Sequence, residues 1–134
     1  MVATKTKYIY GLGRRKSATA RARLYKGKGI ITINDKSLED YFCGDKTLVA
    51  EITDPLALIN KQKDFDITIK VKGGGLSGQV DAIKLAISKA ITTDAVDLRP
   101  VLKKAGFLKR DPREKERKKY GLRSARKREQ FSKR

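Results

Sequence analysis

Strict alternation of apolar and polar residues predicts the two longest β-strands of the chain. Between residues 18 and 25, alanines and a leucine occupy the even positions, while threonine, arginines and tyrosine occupy the odd ones. Between residues 65 and 72, phenylalanine, isoleucines and valine alternate with polar residues in the same way. Successive side chains of a strand point to opposite faces. Both strands are therefore expected to bury one face and to expose a polar one.

Two shorter apolar runs flank the first of these strands. Residues 7–13 form an aromatic and β-branched run that ends in glycine, and residues 30–33 follow the turn sequence Lys26-Gly-Lys-Gly29. Strands that are consecutive in sequence are usually neighbours in a sheet. The segments 7–13, 18–25 and 30–33 are therefore predicted to form an antiparallel meander.

Apolar residues at steps of three and four predict helices elsewhere in the first 106 residues. In the clearest helix, valine and isoleucines recur at positions 80, 83, 87 and 91. Ser37 is expected to be the N-cap of a short helical turn. Pro55 is expected to break or restart another helix, because proline lacks an amide hydrogen. The predicted helical segments are residues 37–42, 46–60, 77–90 and 97–104.

The apolar pattern stops at about Phe107. The following residues contain few apolar side chains and no apolar stripe, so they cannot bury enough surface to offset their chain entropy. We predict one α+β domain over residues 1–106, with a mainly antiparallel sheet and helices on one face. Residues 107–134 are predicted to be a basic tail that is extended or disordered alone and ordered on a partner.

The charge of the chain is concentrated at its two ends. Its 134 residues carry 33 Lys and Arg against 15 Asp and Glu, a formal net charge of +18. The first 28 residues contribute +9, residues 29–102 contribute −2, and residues 103–134 contribute +11. Like charges at this density repel one another unless an anion neutralises them. A nearly neutral centre with two basic ends therefore indicates a polyanionic partner.

Composition excludes most catalytic chemistry. The chain contains no His and one Cys, which leaves no internal disulfide, no ordinary zinc site and no imidazole catalyst. Cys43 is expected to be small and partly buried, and Asp64 and Asp66 to lie on the solvent face of a strand. No apolar run approaches the roughly 18–20 residues of a membrane span, and the N-terminus has no secretory signal pattern. We expect a non-enzymatic, cytoplasmic protein without cofactor, metal or membrane partner.

The C-terminal tail is the strongest functional signal. Fifteen cations fall within residues 103–134, and Tyr120 and Phe131 interrupt them. Cations at this density neutralise a nucleic-acid backbone, and aromatic rings stack on bases. A solubilising tail needs far fewer cations, and a membrane-surface helix needs apolar residues at helical spacing. The tail residues predicted to bind RNA are Lys109, Arg110, Arg113, Arg117, Lys118, Lys119, Tyr120, Arg123, Arg126 and Lys127.

A second basic cluster lies near the N-terminus. In Gly11-Leu-Gly-Arg-Arg-Lys-Ser17 the glycines are expected to let the backbone approach phosphate, while the polar side chains donate hydrogen bonds. An ordinary solvated basic hairpin also fits this sequence. Gly73-Gly-Gly-Leu-Ser-Gly78 fits either an anion site at a helix N-terminus or a tight strand-to-helix turn. The residues predicted to bind RNA here are Arg14, Arg15, Lys16, Ser17, Arg21 and Arg23.

Four longer motifs stand in order along the chain. They are Gly13-Arg-Arg-Lys-Ser-Ala-Thr-Ala-Arg-Ala-Arg23, GGGLSGQ at 73–79, DPREKERKKYG at 111–121 and ARKREQFSKR at 125–134. Together they resemble the bacterial form of ribosomal protein nine of the small subunit. The likeness spans residues 8–134, and the final Ser132-Lys-Arg134 is its most specific mark. The sequence departs from the family pattern at Asp81 and Lys84.

The resemblance implies an α+β domain with a left-handed βαβ unit. It also implies a place in the head of the small subunit, on the 3′ domain of ribosomal RNA and beside neighbouring head ribosomal proteins. The family's tail threads through RNA to the anticodon stem-loop of P-site tRNA. By position, the tRNA-proximal residues would be Arg128, Phe131, Ser132, Lys133 and Arg134.

Two other functions stay open on the residues alone. A ribonuclease P-type protein cofactor shares the basicity and, through the family, the fold, but its cations belong in an Arg-rich helix within the domain. A nucleoid or histone-like DNA binder also carries a high positive charge. We favour a structural RNA-binding protein of the small ribosomal subunit, because its cations lie at both ends of the chain and the motifs match.

Overall fold

The structure is a computed structural model that describes residues 7–133. Within that range, five β-strands and four α-helices follow one another along the chain. The strands are β1 (Ile9–Arg15), β2 (Ala18–Lys26), β3 (Ile31–Ile33), β4 (Lys36–Ser37) and β5 (Phe65–Lys72). The helices are α1 (Leu38–Tyr41), α2 (Lys46–Leu58), α3 (Leu76–Asp94) and α4 (Arg99–Lys104), the last preceded by a 3-10 turn at Val96–Leu98.

The strands form one sheet in the order β1-β2-β5-β3-β4. β2 pairs antiparallel with β1 and with β5, whereas β3 runs parallel to β5. The predicted α+β class with a mainly antiparallel sheet is confirmed. The predicted meander is wrong, because β5 lies between β2 and β3. The register places Ala20 opposite Val71 and Ala22 opposite Ile69, so that pairing joins the apolar faces of the two longest predicted strands.

The loop between β2 and β3 shows how the chain passes β5 instead of folding back on β2. Oδ1 of Asp66 accepts hydrogen bonds from the amides of Lys28, Gly29 and Ile30 at 2.8, 3.0 and 2.9 Å. These bonds tie the loop to the start of β5 and lead the chain across that strand. Asp66 lies on the outward face, as expected, but its anchoring role was not predicted.

Helix α3 covers one face of the sheet, and β1 crosses it at very close range. A Cβ added at Gly11 would lie 2.0 Å from the carbonyl oxygen of Ala86, and one at Gly13 would lie 1.8 Å from that of Ala82. Only glycine fits where the strand backbone meets the helix backbone. Both glycines are buried under α3, so the expectation that they bring the backbone to phosphate is wrong.

Three predicted helices are present close to their expected bounds. α3 begins one residue before the predicted start and continues to Asp94. Oγ of Ser37 accepts a hydrogen bond from the amide of Asp40 at 3.2 Å, which confirms Ser37 as the N-cap of α1. The predicted segment 97–104 forms the end of the 3-10 turn and α4.

Helix α2 differs from its prediction at Pro55. The helix continues without interruption through this residue to Leu58, so the predicted break is wrong. Pro55 is buried together with Ile52 and Leu56 on the inner side of α2. Burial of this apolar surface offsets the one helical hydrogen bond that proline cannot donate.

The chain after α4 has no helix within the described residues. We call residues 107–134 the C-terminal segment. Its first two side chains, Phe107 and Leu108, are half-buried and pack against the core. Farther along, an isolated antiparallel bridge joins Leu122 to Arg128. The division of the chain at residue 107 stays a prediction, and the structure places the beginning of the segment on the domain.

Candidate nucleic-acid interface

The sheet face opposite α3 is strongly basic. Alanines and apolar residues of β2 and β5 point to the core, so the alternate residues point outward. We call this outward side the open sheet face. Its five cations are all exposed: Arg14, Arg21, Arg23, Lys70 and Lys72.

Strand pairing places these cations in adjacent rows. Arg21 is opposite Lys70, and Thr19 stands between Arg14 and Lys72. Side chains directly opposite one another on a sheet are about 5 Å apart, and like charges at that distance are destabilising. A bound polyanion converts this repulsion into attraction, so the arrangement favours a phosphate-rich ligand.

Aromatic rings lie on the same face beside the cations. The guanidinium of Arg23 lies 5.1 Å from the ring centroid of Tyr8, and the rings of Tyr8 and Tyr25 are 5.8 Å apart. Tyr10 is opposite Arg23 and is 47% exposed. Exposed rings next to arginine provide stacking positions for unpaired bases.

Asp66, an acidic residue of the open sheet face, already accepts hydrogen bonds from backbone amides. The amides of Ile30, Lys28 and Gly29 donate to the Asp66 carboxylate and lower its pKa from the usual value. The carboxylate therefore interacts mainly with backbone amides rather than with the cations of the neighbouring rows. The open sheet face keeps its positive character despite this acid.

The β1–β2 turn lies beside the N-terminus of α3. A Cβ at Gly73 would be 2.7 Å from the carbonyl oxygen of Ser17, and one at Gly74 would be 2.8 Å from Cβ of Ala18. Both glycines also have positive φ, at 76° and 70°. Packing and backbone conformation explain why residues 73 and 74 are glycines. The β1–β2 turn includes exposed Lys16, and RNA contact at that turn stays a prediction.

Arg15 points away from the open sheet face, unlike its neighbour Arg14. Its side chain is only 11% exposed. Its Nε lies 3.3 Å from Oδ2 of Asp81, and its Nη2 lies 3.1 Å from Oδ2 of Asp111. Nη1 donates to the backbone carbonyl of Arg113 at 2.9 Å. We call these four residues the junction cluster, because they join α3 to the C-terminal segment.

The junction cluster borders a cleft with a volume of about 380 Å³ between β1, α3 and the start of the C-terminal segment. Lys84 lies on the same helix as Asp81, three residues later. Its Nζ is 3.5 Å from Oε2 of Glu51 and 5.8 Å from the ring centroid of Phe107. Lys84 therefore contacts the C-terminal segment through Phe107, and Asp81 is linked to the segment through Arg15.

Acidic residues of the C-terminal segment pair with cations of the same segment. Oδ2 of Asp111 is 2.8 Å from Nη2 of Arg113, and this partner lowers the pKa of Asp111 to about 2. Glu116 pairs with Lys119 and with Arg126, and these two cations lower its pKa. Exposed pairs of this kind contribute little to stability. They do reduce the repulsion among the cations of the segment.

Side chains beyond the junction cluster are almost all open to solvent. Tyr120 is 97% exposed and Phe131 is 89% exposed. Among the predicted RNA-binding cations of this stretch, Lys119 is half-exposed. The others are exposed: Arg117, Lys118, Arg123, Arg126 and Lys127. Of the predicted tRNA-proximal residues, Arg128, Phe131, Ser132 and Lys133 are exposed, and Arg134 lies outside the described residues.

Three residues of the open sheet face were not predicted from the sequence to bind RNA. Lys70 and Lys72 occupy the polar positions of the strand predicted at 65–72, and Tyr10 occupies the corresponding face of β1. Their alternation was visible in the sequence. It was not connected to Arg21 and Arg23, because the predicted meander gave β5 no place beside β2.

Other reactive groups are scattered. Cys43 is exposed rather than partly buried, because it sits in the turn after α1 with a φ of 52°. Across residues 7–133, His, Cys, Asp and Glu side chains do not gather in a group of three that is able to hold a metal ion. The helices of that stretch are also too short or too polar to cross a membrane.

Comparison with known proteins identifies the family. A family model described as Ribosomal protein S9/S16 matches residues 13–134. The chain belongs to this family. It is also 55% identical, over 128 residues, to small ribosomal subunit protein uS9 of Desulfovibrio desulfuricans. That alignment covers 96% of this chain and 98% of the relative.

Membership in the Ribosomal protein S9/S16 family confirms the resemblance drawn from the motifs. The chain is a ribosomal protein of the small subunit, a structural and non-enzymatic part of a ribonucleoprotein that carries out translation. The ribonuclease P-type cofactor and the nucleoid protein are thereby set aside.

Proposed function

We propose that this ribosomal protein binds the 3′ domain of small-subunit ribosomal RNA, in the head of the subunit, through two surfaces. One is the open sheet face and the other is the C-terminal segment. The proposal includes contacts with neighbouring head ribosomal proteins and a cytoplasmic location on the ribosome. The main support for this proposal is the charge of the open sheet face. It has five exposed cations, and its acid Asp66 interacts mainly with backbone amides.

Binding at the open sheet face rests on counterion release. Each Lys or Arg that neutralises a phosphate releases condensed cations, so affinity falls as salt rises, with a slope of about −0.7 per phosphate on single strands and about −0.9 on duplexes. The side chains project from paired strands whose backbone is already ordered. The domain therefore positions RNA phosphates without first having to fold.

Stacking adds selectivity for unpaired nucleotides at one edge of this face. Tyr10 is half-exposed on β1, and the Tyr8 ring contacts both the Arg23 guanidinium and the Tyr25 ring. A-form duplexes keep their bases stacked inside, whereas loops and bulges present them. We expect the aromatic edge to contact an unpaired part of the ribosomal RNA.

The C-terminal segment supplies reach. Residues 114–133, if fully extended at ~3.3 Å per residue, span about 65 Å. We propose that it orders along RNA and that its last residues meet the anticodon stem-loop of P-site tRNA. Exposed Phe131 and Lys133 supply a ring and a charge for that contact.

Subunit assembly tests the role of the open sheet face. Charge reversal of Arg14, Arg21 and Lys70 to Glu should lower occupancy of the protein in small subunits that are washed with high salt. Reversal of three exposed lysines on the helical side, Lys46, Lys89 and Lys103, is the matched control and should leave occupancy much higher. Equal occupancy of the two triple variants would remove the assignment of this face.

P-site binding tests the end of the segment. Deletion of residues 132–134 should leave folding and subunit incorporation near normal while tRNA dissociates faster from the P site. Replacement of Lys103 and Lys104 by Gln removes two cations from α4 and should not change that rate. An unchanged dissociation rate after the deletion would refute the tRNA contact.

A further inference from the structure

The C-terminal segment is attached to the domain by a balanced set of charges. Arg15 and Arg113 supply two cations, and Asp81 and Asp111 supply two carboxylates. The nearly buried Arg15 side chain reaches a helix carboxylate, a segment carboxylate and a segment carbonyl oxygen at once. The partners that satisfy this guanidinium come from residues 66 and 98 positions away in the sequence.

We propose that Arg15 is a positioning residue, which with Asp81 and Asp111 clamps the start of the C-terminal segment onto α3. The clamp sets the direction in which the RNA-binding residues leave the domain. This inference rests on the proposed function in one respect only, namely that those residues bind RNA. It gives Arg15 a different role from that of Arg14, which points to solvent on the open sheet face.

Burial and charge favour the clamp over a direct phosphate contact of Arg15. The Arg15 side chain is 11% exposed, and its guanidinium would have to leave two carboxylates to reach RNA. Removing a buried charge from its partners leaves the remaining groups uncompensated, which is costly. The nearby carboxylates also repel phosphate. The junction cluster is therefore poorly suited to bind RNA and well suited to hold two protein elements together.

A second set of contacts supports the same attachment. One turn along α3 from Asp81, the ammonium of Lys84 lies over the Phe107 ring and beside Glu51 of α2. Phe107 thus contacts Lys84 of α3 directly, whereas Asp111, four positions later, is linked to Asp81 of the same helix through Arg15. Two contacts at this spacing hold the segment at two points and so restrict its direction more than either alone.

A fixed direction strengthens RNA binding through preorganisation. A segment that leaves the domain at a defined angle loses less conformational freedom when it meets RNA, and such losses are a main cost of association. Opening the clamp should therefore weaken RNA binding although it removes no residue that contacts RNA. Electrostatic repulsion alone predicts that replacing Asp81 or Asp111 by a neutral residue strengthens RNA binding, because an acid repels phosphate. The clamp predicts the opposite, namely weaker RNA binding.

Label distances in the free full-length protein test the geometry. Exposed Cys43 takes one spin label, and the substitution Lys115→Cys, two residues beyond the junction cluster, supplies the other site. Pulsed electron resonance should give a narrow distance distribution for this reference protein. The distribution should broaden clearly in Arg15→Gln, in Asp81→Asn and in Asp111→Asn. Because Asp111 lies outside the core, its variant stays folded even if the other two lose stability.

RNA affinity of the unlabelled chain tests the consequence. Asp81→Asn and Asp111→Asn should each weaken binding to small-subunit ribosomal RNA by about three- to tenfold. Glu129→Gln, a matched loss of one exposed acid farther along the segment, should leave affinity the same or slightly higher. Arg15→Lys should restore part of the affinity lost in Arg15→Gln, because an ammonium still pairs with one carboxylate.

Two results would overturn the clamp. One is an unchanged distance distribution in Asp111→Asn, and the other is tighter RNA binding by both Asn variants. Failure of the proposed function gives a different result. The unsubstituted chain would then not bind the RNA, but the label-distance distributions of the clamp variants, measured without RNA, would still broaden.

Discussion

The open sheet face and the C-terminal segment carry the same chemistry on different backbones. Both present cations with exposed rings, but β2 pairs with β5 over eight positions, whereas the described part of the segment has one isolated bridge. Ordering a free residue costs about 1–2 kcal/mol. Cations on the paired strands therefore hold phosphates in fixed positions. Cations on the C-terminal segment extend farther from the domain, but ordering them on RNA costs conformational entropy.

The largest effect should come from breaking the support of the sheet. Gly13→Val places a side chain where a Cβ already lies 1.8 Å from the Ala82 carbonyl oxygen. We expect the free energy of unfolding to fall by about 3–5 kcal/mol, measured by urea denaturation. RNA binding through the segment should persist with reduced affinity.

A glycine at the start of α3 provides the control for that substitution. A Cβ at Gly78 would have its nearest contact at 3.7 Å, which is ordinary packing. Gly78→Ala should therefore change the free energy of unfolding by less than about 1 kcal/mol, and in the stabilising direction. Similar destabilisation by both variants would contradict the account of β1 packing.

Neutralising the open sheet face should have the next largest effect. Arg21→Gln, Arg23→Gln and Lys70→Gln together should lower affinity for ribosomal RNA about ten- to hundredfold near physiological salt. The plot of log affinity against log salt should lose about 2 units of slope, while stability stays within about 1 kcal/mol. An unchanged slope would mean that these cations do not meet phosphates.

A smaller effect is expected from the ring beside those cations. Tyr10→Ser should weaken binding to an RNA with an unpaired loop by about 1 kcal/mol, the lower end of the usual contribution of one stacked base. Tyr10→Phe keeps the ring and should retain most of the affinity. Binding to a fully paired duplex should barely change. Equal losses on both RNAs would argue against stacking.

The smallest effect concerns the loop that leads the chain across β5. Hydrogen bonds from Ile30, Lys28 and Gly29 lower the folded-state pKa of Asp66. A lowered pKa contributes stability above the unfolded value of about 3.9, and this contribution is lost as pH falls through the folded value. Asp66→Ala should therefore be less stable than wild type at pH 7, with the difference shrinking below about pH 4. A difference that is constant from pH 7 to pH 2 would contradict this role.

The faces of the long elements were predictable because their periodicity is local. Alternation around Ala20 and Ile69 identified the buried side of β2 and β5, and steps of three and four did the same for α3. The exposed cations of β2 followed directly from that parity. Each of these features depends on neighbours within a few residues, which a single sequence displays.

Features that depend on distant partners were not predictable. The place of β5 beside β2 depends on residues some fifty positions apart, and Arg15 finds its carbonyl partner 98 residues away. The sequence around Gly13 is also typical of a phosphate-binding glycine, and only its contact with α3 shows that the glycine is required for packing. Pro55 stays in a helix because its surroundings bury it. In each case a long-range contact overrides a local preference.

Hydrogen exchange on the full-length protein, free and bound to small-subunit ribosomal RNA, tests the contrast between the two regions most directly. We predict that amides of β2 and β5 are protected in both states. Amides of residues 114–133 should exchange almost freely in the isolated protein and become protected on RNA. Strong protection of residues 114–133 without RNA, or none with it, would contradict a rigid binding face joined to a segment that orders on its partner.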